Sequence, residues 1–294
     1  MKLTPNQIAK FAQFASVLEV SGKTKPGNVH RNRDYDDMVF EDFLLSAVAV
    51  GDVFREVTTL VDVNKPEKAN LGKYIREAVA ETNKWVKTNT NLGIMMMCIP
   101  IACSAAISDS FDDLHVNVKK LMDATTVDDA CDLYDAINLA DAGGMGDQDE
   151  FDVNSESAKD ELRKNGQTMY DILEFSAGWD RLASELTTGM PVCFELGYPE
   201  YYNLRKNKSL SDSCVLTFLK ILSEVPDTLI SRKYGDEVAN EVSDMAKNLL
   251  LEKDDFETKL IEFDDYLFSK GYNPGTTADL TAASIMISYL KDEF

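Results

Sequence analysis

The sequence has 294 residues and a formal net charge of −21, from 30 basic and 51 acidic side chains. This length is typical of one large domain or two modest ones. Non-specific binding of nucleic acid needs a surplus of Lys and Arg, and the longest uncharged apolar run, Leu92–Ile107, is shorter than the roughly 20 residues of a membrane span. We therefore expect neither nucleic acid nor a membrane as a partner.

The cysteines point to a reducing compartment. There are five of them, an odd number, and no two form a CxxC pair. This pattern favours buried, reduced thiols over a disulfide framework or a zinc site. The N-terminal residues also lack the apolar run of a signal peptide, so a cytoplasmic location is expected.

The spacing of apolar residues predicts helices along the whole chain. Thr4, Pro5 and Gln7 have the arrangement of a helix start with a capping box, and 92–107 is expected to be a helix buried on all sides. Further helices are predicted over 8–18, 40–54, 68–85, 111–122, 127–140, 159–186, 209–223, 235–251, 256–269 and 277–290, whereas 189–205 is expected to be partly irregular.

No sustained alternation of apolar and polar residues is present. The sequence therefore predicts an all-α fold of about ten to twelve helices in a single globular domain, residues 1–294, with its site built from loops at helix junctions. Residues 141–157 are rich in Gly and acidic side chains and must form a loop. This loop is either a lid over the site or a surface excursion.

Four predicted loops share Asn, Asp, Thr, Pro and Gly at sharp helix junctions: 25–37, 87–93, 226–232 and 273–280. In the second and fourth, polar residues lie at helix N-termini, where free N–H groups and the helix dipole favour bound anions. Ordinary helix capping explains any one loop, whereas four in one chain are also typical of a shared polar site.

A pair of carboxylates in the first loop is a candidate for Mg²⁺ binding. Asp36 and Asp37, with Glu41 one turn later, offer the oxygen ligands that this cation takes. Asp pairs occur at four other places in this acidic chain, so the pair alone has little value. The first pair differs from the others because basic side chains surround it.

Five blocks carry a resemblance to a known family: KPGNVHRNRDYDDM, TNTNLGI, DRLASELTTGMP, DTLISRKYG and NPGTTADLTAA. With these blocks, in this order, the chain resembles the triphosphoribosyl-dephospho-CoA synthases over about residues 19–290. The resemblance implies an all-α transferase that uses ATP as substrate with Mg²⁺. Such an enzyme joins a triphosphoribosyl group, through C1 of its ribose, to a ribose hydroxyl of dephospho-CoA or a related nucleotide, and releases adenine.

The chemistry of this reaction suggests roles for the residues of the shared blocks. The triphosphate charge must be neutralised, the acceptor hydroxyl needs a base, and the leaving adenine needs a proton or a hydrogen bond. The candidate catalytic carboxylates are Asp37, Glu185 and Asp227, and the candidate metal ligands are Asp36, Asp37 and Glu41. The candidate residues for binding ATP and the acceptor are Lys25, Asn28, His30, Arg33, Asn89, Asn91, Arg232, Asn273 and Asp279.

The chain departs from the family pattern at two places. Tyr35 stands where the family has His, and Asn91 and Leu92 replace a His and a basic residue. These losses leave alternatives open: a Mg²⁺-dependent hydrolase of nucleotides or ribosyl bonds, another phosphate-handling enzyme on this scaffold, or a non-catalytic binding protein. Small nucleotides are the expected partners, with a homodimer as one option for assembly.

Overall fold

The computed structural model describes residues 3–141, 157–252 and 254–294, and these residues form helices and connecting loops with no β-strand. The all-α prediction is confirmed. The helices are α1 (Pro5–Val20), α2 (Phe40–Ala49), α3 (Gly51–Leu60), α4 (Leu71–Asn83), α5 (Leu92–Ile107), α6 (Phe111–Asp123), α7 (Val127–Ala140), α8 (Ala158–Asn165), α9 (Met169–Ser176), α10 (Arg181–Thr188), α11 (Tyr198–Leu204), α12 (Leu210–Glu224), α13 (Thr228–Tyr234), α14 (Asp236–Leu251), α15 (Phe256–Lys270) and α16 (Gly275–Lys291).

The helices are more numerous than predicted because several long segments are broken. The predicted helix over 40–54 becomes α2 and α3, which meet at Val50. The segment 159–186 becomes three helices, since Gly166 ends α8 in the left-handed region and Thr168 and Asp180 cap the next two. The segment 189–205 is partly irregular, as predicted, at its start, where Gly189 and Met190 lie in the left-handed region. A π-helical turn, Val192–Gly197, then leads directly into α11.

The first helix, the central helix and the cysteines agree with the predictions from the sequence. The capping box of α1 is present, with Thr4 and Gln7 exchanging backbone and side-chain hydrogen bonds. Helix α5 is buried along nearly its whole length, as its composition predicts. All five cysteines are buried and free, which agrees with reduced thiols.

The apolar side chains form two clusters. The larger surrounds α5 and includes parts of α1, α4, α7 and α16, and the smaller is formed mainly by α12, α14 and α15. Helices α12 and α16 contribute to both clusters. These shared helices support a single domain over 1–294, which stays a prediction. Over the described ranges, no helix is long and apolar enough to cross a membrane.

Candidate active site

A cleft with a cavity volume of about 560 Å³ opens where several loops meet the starts of α5 and α16. One side is polar and is formed by the segments 87–93 and 273–279, joined by the end of α13. The other side is apolar and is formed by α7 and α9. The second and fourth loops predicted from the sequence therefore meet at one site.

Two Asn side chains form hydrogen bonds that fix the loop leading into α5. Asn89 accepts a hydrogen bond from the backbone N–H of Leu92 at 3.1 Å, and Asn91 donates to Thr82 Oγ1 at 2.8 Å. Both Asn side chains line the cleft. Gly93 follows, and a Cβ there would lie 2.1 Å from Oδ2 of Asp279. The absence of a side chain at Gly93 therefore lets the carboxyl group of Asp279 lie against the first turn of α5.

The start of α16 contributes the facing polar groups. Asn273 accepts a hydrogen bond from Asn28 Nδ2 at 2.9 Å, which ties this loop to the loop after α1. Asp279 lies one turn into the helix and lines the cleft. Burial raises the pKa of Asp279 well above its ordinary value, and the nearby carboxylates of Glu19 and Asp227 add to this shift. This carboxyl group is suited to holding a proton.

Three cationic side chains of the described residues line the cleft: Lys87, Arg232 and Lys233. Arg232 forms an ion pair with Asp180, which also caps α10. Lys87 and Lys233 are exposed, and the described chain offers them no carboxylate within ion-pair distance. They are therefore available to an anionic ligand.

The apolar side of the cleft includes two aromatic rings. Phe175 and Trp179 lie edge to face, with their ring centroids 5.4 Å apart, and both are partly exposed. Ile137 on α7 and Leu173 on α9 line the same side. This surface can take a ring or an aliphatic chain of a ligand, while the polar side takes its charged groups.

Lys25 is not exposed to the cleft. Its side chain is fully buried, forms an ion pair with Glu19 and lies 5.9 Å from the ring of Phe218. Glu19 does line the cleft, although the sequence reasoning did not select it. The sequence did contain a reason to select Glu19, because this residue continues the buried face of Ala12 and Ala15 on α1, where a carboxylate is unusual.

His30 and Arg33 lie outside the cleft and attach their loop to α15. Asn32 N–H donates to His30 Nδ1 at 3.2 Å, so His30 Nε2 carries the proton that it donates to Asp264 at 3.2 Å. Arg33 donates to the same carboxylate at 2.6 Å. Burial alone would raise the pKa of Asp264, but these hydrogen bonds and the one from Gly27 hold it below its usual value.

The predicted metal ligands are only partly brought together. Asp37 is exposed and lines the edge of the cleft, whereas Asp36 and Glu41 are exposed and lie outside it. In the described part of the chain, no group of three or more His, Cys, Asp or Glu side chains is arranged to hold a metal.

Two predicted catalytic carboxylates also lie outside the cleft. Glu185 is fully buried and accepts hydrogen bonds from the N–H groups of Val192 and Cys193 at 3.1 and 3.0 Å. Asp227 is buried and accepts four hydrogen bonds that connect α13 to α16. These hydrogen bonds give both carboxylates a structural role.

Tyr35, one of the departures from the family pattern, also has a structural contact. Its hydroxyl donates to the carbonyl of Gly27 at 2.7 Å, and its ring lies 4.9 Å from that of Phe268. Gly27 has φ of 70°, and a Cβ there would lie 2.4 Å from the carbonyl oxygen of Tyr272. Tyr35 thus stabilises a tight loop in which only glycine fits at position 27.

The predicted loop over 141–157 has only its ends described, with Asp141 lining the cleft, and 142–156 lie outside the described residues.

The fold and the cleft define a class: an all-α protein with a polar cleft that is lined by two helix N-termini and by cationic side chains, suited to phosphate groups. A family model described as ATP:dephospho-CoA triphosphoribosyl transferase (CitG) matches residues 5–294. The chain belongs to this family, which confirms the resemblance seen in the sequence.

Two relatives agree with the family. A Malonomonas rubra protein described as a 2-(5''-triphosphoribosyl)-3'-dephosphocoenzyme-A synthase is 22% identical over 305 residues, covering 98% of this chain and 88% of the relative. A crystal structure of an Archaeoglobus fulgidus protein described as a triphosphoribosyl-dephospho-CoA synthase superposes with a TM-score of 0.67 at 22% identity. It covers 84% of this chain and 98% of the other, and it shows that the fold is shared.

Proposed function

We propose that this chain transfers the triphosphoribosyl group of ATP to a ribose hydroxyl of dephospho-CoA, or of a related nucleotide, with release of adenine. The observation that carries the proposal is the cleft in which two family blocks, TNTNLGI and NPGTTADL, face each other across Gly93 and Asp279. Family membership supplies the reaction, and the cleft supplies a place with the required polar, cationic and apolar surfaces.

The triphosphate would lie on the polar side of the cleft. The N-termini of α5 and α16 point their positive dipole ends at this region, and Lys87, Lys233 and Arg232 add positive charge. Lys87 lies in the same loop as Leu92, where the family pattern has a basic residue, and it can supply the charge that Leu92 lacks. Charge neutralisation of this kind is the main electrostatic requirement for a triphosphate substrate.

Mg²⁺ fits this site as a companion of the triphosphate. A magnesium ion bound to phosphates takes one or two protein carboxylates and fills its other positions with phosphate oxygens and water. Asp37 at the edge of the cleft can provide one such carboxylate. The ion would neutralise phosphate charge there, and its binding does not need a preformed cluster of protein ligands.

Small nucleotides are the partners that this site supports, and the acidic net charge argues against nucleic acid. The five buried free cysteines support a cytoplasmic location. A homodimer stays a prediction, which light scattering on the purified protein will test.

The proposed function is tested by incubating the protein with Mg²⁺ and ATP, with and without dephospho-CoA, and separating free adenine by chromatography. We expect adenine that appears only with the acceptor, together with a product heavier than dephospho-CoA by the triphosphoribosyl group. Adenine without the acceptor would instead identify a hydrolase, and no adenine under either condition would contradict the proposal.

Replacing Lys87 and Lys233 together by Met is expected to raise the KM for ATP on the order of 10- to 100-fold, because two charged contacts to phosphate are lost at a partly solvated site. The KM for the acceptor should change less. The matched control is Lys84→Met with Lys259→Met, which removes the same net charge from lysines paired with Glu81 and Glu252 outside the cleft. A KM for ATP that changes equally in both variants would show that only the global charge matters.

A further inference from the structure

Glu19 has a feature that packing does not explain. Its side chain is fully buried, and one carboxylate oxygen forms an ion pair with Lys25. The other oxygen, Oε2, is buried and has no hydrogen-bond partner among the residues that the structure describes. A buried acceptor left without a partner destabilises the fold, so a carboxylate retained here against that cost suggests a function in the cleft that Glu19 lines.

Asp279 is the neighbouring group on which Glu19 can act. Its carboxyl group lies against Gly93, lines the cleft, and is close enough to Glu19 for their charges to interact. Five ionisable groups interact electrostatically with Asp279: Glu19 on α1, Lys25 in the following loop, Cys98 on α5, Asp180 before α10 and Asp227 before α13.

We propose that Asp279 donates the proton that the departing adenine needs. In the Glu19–Lys25 positioning pair, the negative charge of Glu19 keeps this carboxyl group protonated until it is used, and Lys25 holds Glu19 in place. This inference rests on the proposed function and deepens it. It assigns Asp279 a chemical step, and it gives a role to Glu19, which sequence reasoning passed over, and to Lys25, which was expected to bind substrate.

The proposed transfer breaks one bond, forms one bond and moves two protons. The bond between C1 of the ribose and the adenine nitrogen breaks with its electron pair going to adenine, and the carboxyl proton of Asp279 passes to an adenine ring nitrogen. A new bond forms between C1 and the ribose hydroxyl oxygen of the acceptor. Adenine leaves neutral because it has received the proton of Asp279. The proton of the acceptor hydroxyl is released to the carboxylate left on Asp279 or to water.

The two members of the pair act on Asp279 in opposite directions. The negative charge of Glu19 raises the pKa of Asp279, and the positive charge of Lys25 lowers it. Burial raises the pKa of Glu19 itself, and the ion pair with Lys25 opposes that shift. An acid must be protonated to act, so turnover falls as the pH rises through the pKa of Asp279. A higher pKa therefore extends activity to higher pH.

The first experiment separates proton donation from binding. Asp279→Asn removes the proton donor with little change in shape, and its kcat with ATP should fall on the order of 10²- to 10⁴-fold. The matched substrate is 7-methyl-ATP, whose adenine already carries a positive charge and leaves without a proton. With this substrate, the variant should turn over at nearly the rate of the unmodified enzyme.

The second experiment tests the positioning pair through the pH profile of kcat. Glu19→Gln should move the alkaline limb to lower pH, and Lys25→Met should move it to higher pH. The double variant, in which neither charge remains, should lie between the two single variants. A purely structural role would change thermal stability without moving these limbs in opposite directions, so melting curves are recorded for all three proteins.

The outcomes separate this inference from the proposed function. If the unmodified enzyme releases no adenine with the acceptor, the proposed function fails. If it is active but Asp279→Asn loses ATP and 7-methyl-ATP turnover equally, or loses neither, Asp279 is not the acid. If a Glu19 or Lys25 variant fails to fold, the Asp279 result alone still decides the assignment of the acid. If the Glu19 and Lys25 variants fold but the alkaline limbs of their kcat pH profiles do not move, the role of the pair is overturned.

Discussion

Asp227→Ala is expected to lower the free energy of unfolding by about 3–5 kcal/mol, because four donors, three of them in buried hydrogen bonds, lose their acceptor at once. The donors are the N–H groups of Leu229 and Ile230 at the start of α13, and the N–H and hydroxyl of Thr277 on α16. Thermal unfolding should show a fall in Tm on the order of 10 °C.

The control for this prediction is Asp212→Ala. Asp212 is also acidic and lies in the first turn of a helix, but it is exposed, so its removal should change Tm far less. The same comparison tests the sequence-based prediction that Asp227 is a catalytic carboxylate. A variant that keeps its Tm and loses only kcat would favour catalysis over the connection between α13 and α16.

Gly93→Ala is expected to reduce kcat on the order of 100-fold while the protein stays folded. The new Cβ would lie 2.1 Å from Oδ2 and 2.4 Å from Cγ of Asp279, so the carboxyl group must move. A displacement of about 1 Å at a reacting group can cost this much in rate. Alanine is itself favoured over glycine within a helix by about 1 kcal/mol, which limits the loss of stability.

The matched control is Gly178→Ala, where a Cβ meets no atom of the described residues within 4 Å. Steady-state kinetics and melting curves on both variants separate a local displacement from a general effect of the added methyl group. Normal turnover in Gly93→Ala would show that the position of Asp279 against α5 is not needed for the reaction.

The helices were largely predictable, because their signals are local. The apolar spacing of α1 and α14, the capping box at Thr4 and the uncharged run of α5 depend on residues within a few turns of one another. The breaks were less predictable. Helices α2 and α3 share one continuous apolar pattern, yet the first ends and the second begins at Val50.

The candidate site was predictable in part. Asn89, Asn91, Asn273 and Asp279 were selected because polar residues precede long apolar helices, and the structure brings them to one cleft. Lys87 and Lys233 lie in segments that were selected but were themselves missed, because one lysine among 30 basic residues carries little signal of its own. Their position facing the cleft depends on how the loops fold.

The sequence by itself therefore determined the helical class, the family and the segments that form the cleft, since helix periodicity, capping and short motifs are properties of neighbouring residues. Only the tertiary structure decided which charged side chains are paired within the fold and which line the cleft. Lys25, His30 and Arg33 look alike in the first loop, yet Glu19 pairs with the first and Asp264 with the other two. Asp264 lies more than two hundred residues away, and no local pattern records such a contact.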